Sequence, residues 1–303
     1  MGSLVYQVVS SSALLSLGLY HLISTTRNYL KTPHTYSAKP FHPSTTRLRH
    51  LQLYTIITLL LIAILHHLLL AADVDPLVRG ATPVHRLTSL QSATLLLLFL
   101  LLTLSLLISN SSPSLLPLPH DLSFAIASSL FLLHSALQSS LSSVQTSALE
   151  AKCDSVSASL SAISALLCLL LALFPRLFPA DAGLAATFCL RGLWALQTGL
   201  SLYAEPFIPD GCHRLLDVPR GVEGSTKCDL DESKFRALAI LDLALIVHAM
   251  FVMLIVLVTY ALVARSLGGV RRLGTYEALP TNASSPPTDV NHIQMKALAG
   301  TQA

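Results

Sequence analysis

The chain has 303 residues, 52% hydrophobic and 12% charged, with a net charge of +3 and a mean hydropathy of +0.64. Its apolar fraction is little above that of a water-soluble domain, but its charged fraction is about half the usual quarter. The positive excess is small and scattered, so nothing in it suggests a nucleic-acid surface. Leu-rich runs such as 95–102 exclude a lipid-facing barrel, whose strands would alternate apolar and polar residues over about ten positions.

Crossing a hydrocarbon layer of about 30 Å takes about 20 helical residues. Seven stretches are long enough: residues 4–26, 51–72, 88–109, 122–144, 155–174, 184–204 and 238–264. Only Arg191 and Asp242 are formally charged inside them. The expected fold is therefore all-α, a polytopic membrane bundle of seven transmembrane helices over residues 1–265. A polar tail over 266–303, rich in Pro, Ser and Thr, reads as disordered. The first stretch has no basic lead-in and no Ala-x-Ala-like cleavage site, so it is expected to stay as a span.

The first connection carries Arg27, Lys31, Lys39, Arg47 and Arg49 without an acid, and Arg271 with Arg272 follows the last span. The positive-inside rule then places the N-terminus outside and the C-terminus in the cytosol, in an endomembrane or the plasma membrane. In that orientation the glycosylation patterns at Asn110 and Asn282 go unused. The first connection, with Pro33, Pro40 and Pro43, is expected to be irregular, lying against anionic headgroups or serving as a topology signal alone. In the fourth and fifth stretches, Ser128, Ser135 and Ser139, then Ser157, Ser161 and Ala165, predict close helix packing, because small residues let backbones approach and hydroxyls bond across. In the tail, Tyr276-Glu-Ala-Leu279 matches a tyrosine-based sorting pattern. The expected contacts are thus the lipid bilayer and cytosolic partners of the tail, with no nucleic acid.

Residues 205–237 concentrate acids and bases and read as a folded aqueous loop, with turn signals at Asp210-Gly211 and Pro219. Asp229 with Glu232 can cap the last helix. On an outer face Cys212 and Cys228 are expected to form a disulfide, with Cys153 as a possible competitor. The alternative, zinc held by Cys212, His213 and Cys228, suffers from adjacent Cys-His spacing. Cys168 and Cys189 read as packed thiols.

Ionisable groups at membrane depth default to functional hypotheses. At about 1.5 Å per residue, Asp242 and Gln197 lie at similar heights, His134 and His248 near the midplane, and Gln138 one turn outward from His134. These five are the candidate ligand-binding residues of an outward-facing polar cavity. The alternative is that the charges snorkel and the histidines bond neighbouring Ser or backbone groups. His66 and His67 point about 100° apart, so at most one can join. No span holds two histidines three or four apart, which argues against a metal hydrolase; no catalytic residue, cofactor or metal is expected. A G-protein-coupled receptor is disfavoured too, since no Asn-Pro-x-x-Tyr lies in the seventh stretch.

The runs Gly192-Leu-Trp-Ala-Leu-Gln-Thr-Gly199, Glu205-Pro-Phe-Ile-Pro-Asp-Gly-Cys-His-Arg214, Val222-Glu-Gly-Ser-Thr-Lys-Cys-Asp229, Ile240-Leu-Asp-Leu243 and Val247-His-Ala-Met-Phe251 carry a resemblance. Together with Gly18-Leu-Tyr-His21 and Phe131-Leu-Leu-His134-Ser135, they are similar to the plant branch of the transmembrane protein 45 family. That family is also known as domain of unknown function 716 or plant viral-response proteins. The resemblance implies a seven-span membrane protein without an assigned biochemical activity, in a stress or viral-response setting. Leu137, Gln138 and Ser147 stand where that family often has further histidines. The resulting expectation is a membrane scaffold or trafficking protein, with small-ligand binding or transport as the alternative.

Overall fold

Helix boundaries follow the sequence's punctuation. The computed structural model describes residues 2–42, 50–72, 83–145, 147–214 and 226–274. Among these lie α1 (Gly2–Lys31), α2 (Leu51–Ala72), α3 (Pro83–Ser111), α4 (His120–Val144), α5 (Ala148–Leu173), α6 (Phe178–Tyr203) and α7 (Asp231–Gly274). Pro119 precedes α4, and Phe174, kept out of the helical region by Pro175, ends α5. Ser147 caps α5 by accepting from the Glu150 amide, the first half of a Ser-x-x-Glu box. Residues Met1–Ala264 make one compact unit and Arg265–Ala303 a second, of which the helical residues to Gly274 are described.

The fold is all-α, and α1 to α5 and α7 are long and apolar enough to cross a membrane by length and composition. Their exposed faces carry Leu61, Leu65 and Leu69 on α2 and Leu243, Met250, Leu254 and Leu257 on α7, a continuous apolar surface that water would not tolerate. The exception is α6, which holds Asp181 and Arg191. It buries Ala180, Ala182, Leu184, Ala185, Cys189, Trp194 and Leu202 against its neighbours, so much of its circumference meets protein rather than lipid.

What seats α6 is its contact with α1. A Cβ on Gly18 would lie 2.9 Å from the Cys189 amide nitrogen and 3.0 Å from the Ala185 carbonyl oxygen. A Cβ on Gly192 would lie 2.8 Å from Leu15 Cγ and 3.0 Å from the Ser11 carbonyl oxygen. The two backbones thus touch through glycines, the small-residue packing that substitutes for a hydrophobic drive inside lipid. The predicted α4–α5 seam is also present, with Ser128 Oγ donating to the Ala165 carbonyl at 2.8 Å.

Over the residues described, the first connection is irregular and packs against the bundle. After a 3-10 turn at Pro33–Thr35, Tyr36 and Ala38 are buried while Ser37 and Lys39 face out. The Ala38 amide donates to the Pro175 carbonyl at 2.7 Å, and Phe41 and His42 are buried in turn. Residues 36–42 plug the end of the bundle, because their alternation gives an extended segment one buried edge.

At the other end β1 (Cys212–Arg214) pairs antiparallel with β2 (Thr226–Cys228), placing Cys212 opposite Cys228. The expected disulfide joins them. Gly211 takes a positive φ of 81° at the turn into β1. Ser147 Oγ donates to the Thr226 carbonyl at 2.7 Å, tying the hairpin to the start of α5. Cys212 and Cys228 rest on a core of Leu149, Cys153, Trp194, Leu202 and Leu241. Cys153 is a buried free thiol, as are Cys168 and Cys189, and its carbonyl accepts from Trp194 Nε1 at 3.1 Å.

Two outcomes follow. Gly18→Ala is expected to cost about 1–3 kcal/mol in denaturant unfolding of the detergent-solubilised protein, because backbone must move. Gly183→Ala, whose Cβ reaches only Leu167 side-chain atoms at 3.5 Å, serves as the near-neutral control. Replacing Cys212 by Ser is expected to remove about 3 kcal/mol by loop-closure entropy and to abolish the mobility shift on reduction in denaturing electrophoresis.

Candidate functional site

Two polar constellations sit inside the bundle. The larger lines a cavity of about 570 Å³ bounded by α1 to α6. Its wall includes Tyr6, His67, Ser89, His134, Gln138, Glu150, Asp154, Ser157, Arg191 and Trp194. Tyr6 and Glu150 lie in or near the first turns of α1 and α5. Arg191 is 12 positions before Tyr203, about 18 Å along the helix. The cavity therefore extends from the hairpin end toward the middle of the bundle.

At its inner wall Arg191 Nη2 lies 3.3 Å from His134 Nδ1, which is also 2.8 Å from Ser161 Oγ. Ser161 Oγ in turn lies 2.8 Å from the Ser157 carbonyl. If Ser161 gives its proton to Ser157, His134 must carry hydrogen on Nδ1 and offers Arg191 nothing to accept. If Ser161 gives it to His134, the single Nδ1 lone pair is already taken. Arg191 therefore has no full acceptor there. Its Nη1 is buried without a partner, and so are Gln138 Oε1 and Glu150 Oε2. Phe131 lies beneath the guanidinium, 5.5 Å from centroid to Cζ, which is weaker compensation than an ion pair. Among the described residues no carboxylate lies within salt-bridge distance of Arg191.

Of the five candidates, the structure brings His134 and Gln138 together in this cavity and places the others elsewhere. Gln197 Nε2 bonds Ser201 Oγ on its own helix at 2.9 Å. Asp242 is exposed and pairs with Lys152 at 2.6 Å. The reason is angular: Leu241 is buried, and the next residue on a helix turns about 100° away. His248, two turns along from Leu241, returns to that stripe with Nδ1 buried and unpartnered, outside the cavity lining. His67 reaches the cavity while His66 stacks on Tyr6 with ring centroids 4.0 Å apart. Tyr276 and Leu279 lie outside the described residues.

The second constellation surrounds Asp181, 0% exposed in the first turn of α6. His21 Nε2 meets its Oδ1 at 2.7 Å, while Thr25 Oγ1 and Tyr36 Oη donate to Oδ2 at 3.2 and 2.5 Å. His42 Nε2 lies 3.1 Å from Thr25 Oγ1, and Asn28 Nδ2 lies 3.2 Å from His42 Nδ1. The His42 backbone is held on both sides, its amide donating to Gln52 Oε1 at 2.9 Å and its carbonyl accepting from Tyr20 at 3.0 Å. Burial, reinforced by His21, pushes the His42 imidazole down to about 4, so it is neutral at physiological pH. Burial and the neighbouring carboxylate push the Tyr36 phenol well above its ordinary range, keeping it a donor. Spacing gave no sign of this cluster, because its members come from three elements. His21 stood out only through the family resemblance.

The molecule is thus an α-helical bundle of membrane-spanning dimensions with a polar interior. Residues 120–261, from α4 into α7, match the model of a family of unknown function (DUF716). No curated protein matches the sequence significantly. The matched region includes His134, Gln138, Asp181 and Arg191; His21, Tyr36 and His42 lie before it.

Replacing Asp181 by Ala strands His21, Thr25 and Tyr36 together. Unsatisfied buried groups cost about 1–3 kcal/mol each, so a loss of about 3 kcal/mol or more is expected in denaturant unfolding. Asp181→Asn, which keeps the shape and one acceptor, is expected to lose less.

Proposed function

We propose that the protein is a seven-span membrane protein, N-terminus outside, whose cavity binds a small molecule with one anionic head and an apolar body. The observation that carries this reading is the Arg191 guanidinium, whose Nη1 lies buried without a partner at the cavity wall. A charge held inside a membrane bundle demands a counter-ion, and among the described residues no carboxylate is in contact with it. Gln138 Oε1, likewise unpartnered, adds an acceptor for a hydroxyl or amide near that head. Leu95, Leu96, Leu141, Leu160 and Trp194 on the same wall suit an apolar body. Asp154 and Glu150 nearer the hairpin end disfavour a second negative charge there. The volume falls within the range of small-molecule sites.

In this reading α6 is the seventh span, its charge tolerated because protein surrounds it, and the hairpin caps the outer end. The likeness of residues 190–265 to the plant transmembrane protein 45 branch belongs to the same reading. The test is a thermal-shift and calorimetric titration of the purified full chain with straight-chain monocarboxylates. Binding is expected for the parent, a tenfold or greater loss in Arg191→Gln, and no change in Asp242→Asn, which lies outside the cavity. An unchanged response in Arg191→Gln, or no response from the parent, overturns the proposal.

A further inference from the structure

We infer that His21, His42 and Asp181 form a binding site for a divalent transition metal ion of the zinc type. One ligand atom from each lies within 4.8 Å of the other two, and all three residues are buried. Two imidazoles and a carboxylate are the donor set that zinc and its neighbours accept, with room for a further ligand. The neighbouring oxygens, Thr25 Oγ1 and Tyr36 Oη, already sit on Asp181 Oδ2 and stand where such a ligand would be held.

The metal-free geometry is a chain of hydrogen bonds running from His42 through Thr25 and Asp181 to His21. His42 Nε2 faces Thr25, Thr25 faces Asp181, and His21 Nε2 faces the other carboxylate oxygen. Both imidazoles therefore direct Nε2 at one carboxylate, His21 directly and His42 across one hydroxyl. In that state each Nε2 carries a hydrogen. Binding requires each Nε2 to give up that hydrogen and offer its lone pair, which for His42 moves the proton to Nδ1. For His42 the partner of that proton is in place: Asn28 stands at Nδ1, and its carboxamide, turned end for end, accepts from Nδ1–H as readily as it donates. A ligating imidazole whose far nitrogen donates to a fixed acceptor is the arrangement that orients metal-bound histidines. The anchored backbone of His42, held through Gln52 and Tyr20, fixes the ring's approach. A structural polar knot would need the hydrogen bonds, but it would not need two imidazoles with the same nitrogen aimed at one anion.

The experiment takes the full chain in detergent, stripped with a chelator and dialysed against Co(II), then Zn(II). Elemental analysis is expected to return one metal per chain. Cobalt is expected to give visible ligand-field bands of a low-coordinate nitrogen–oxygen site, bleached by zinc. Asp181→Asn, which keeps the packing, and His42→Gln are each expected to lose both signals. Asn28→Ala is expected to weaken binding tenfold to a hundredfold, while Arg191→Gln, which alters only the cavity, keeps full loading. Should a variant fail to fold, the parent still decides: zinc is expected to raise its thermal midpoint and leave that of a His21→Gln/His42→Gln chain unmoved. No stoichiometric metal on the parent, or undiminished metal on folded Asp181→Asn, overturns the site.

Discussion

Close approach of α1 and α6 is the constraint on which the interior depends. Gly18 and Gly192 remove the side chains that would hold the two backbones apart, so main-chain atoms meet within van der Waals distance over several turns. Because the helices run antiparallel, that contact sets a register. Gln7 lies against Gly199, Leu15 against Gly192 and Gly18 against Ala185 and Cys189. The next turn then brings His21 and Thr25 to Asp181. The hydrogen bonds at that end follow from the seam, and a shift by one turn would dissolve them.

The bundle treats Asp181 and Arg191 in opposite ways. Asp181 accepts from three side chains, so its burial is compensated by neighbours from α1 and the first connection. Arg191, ten positions further along the same helix, has an aromatic ring, a histidine already engaged by Ser161, and a free Nη1. Low dielectric strengthens what is paired and penalises what is not. One charge is therefore fully engaged by the architecture, whereas the other keeps a buried nitrogen without a partner.

Much of the architecture was legible in the sequence, because lipid forces apolar runs to a fixed length and leaves charge for the ends. The Cys212–Cys228 bridge followed from compartment and loop length. What failed was azimuth. Counting residues gives the height of Asp242 but not its direction, and Leu241 takes the inward position beside it. His134 and Gln138 share the cavity wall because they lie one turn apart on one face. Asp181 lies before the apolar run that starts at residue 184, whereas the helix begins at Phe178 with the charge in its first turn. The inward edge of residues 36–42 is too short a pattern to read without its partner.

The seam also bears on how the chain is made. His21 and Asp181 are 160 positions apart, and at about 5–20 residues per second α1 waits roughly 8–32 s for its partner. Throughout that interval its inner face, with Ser11, Gly18, His21 and Thr25, has no α6 to cover it. A helix that polar on one side sits poorly among acyl chains, so its early residence in the bilayer depends on an insertion factor or on temporary contact with α2. α6 meets α1 only after α2 to α5 have been made.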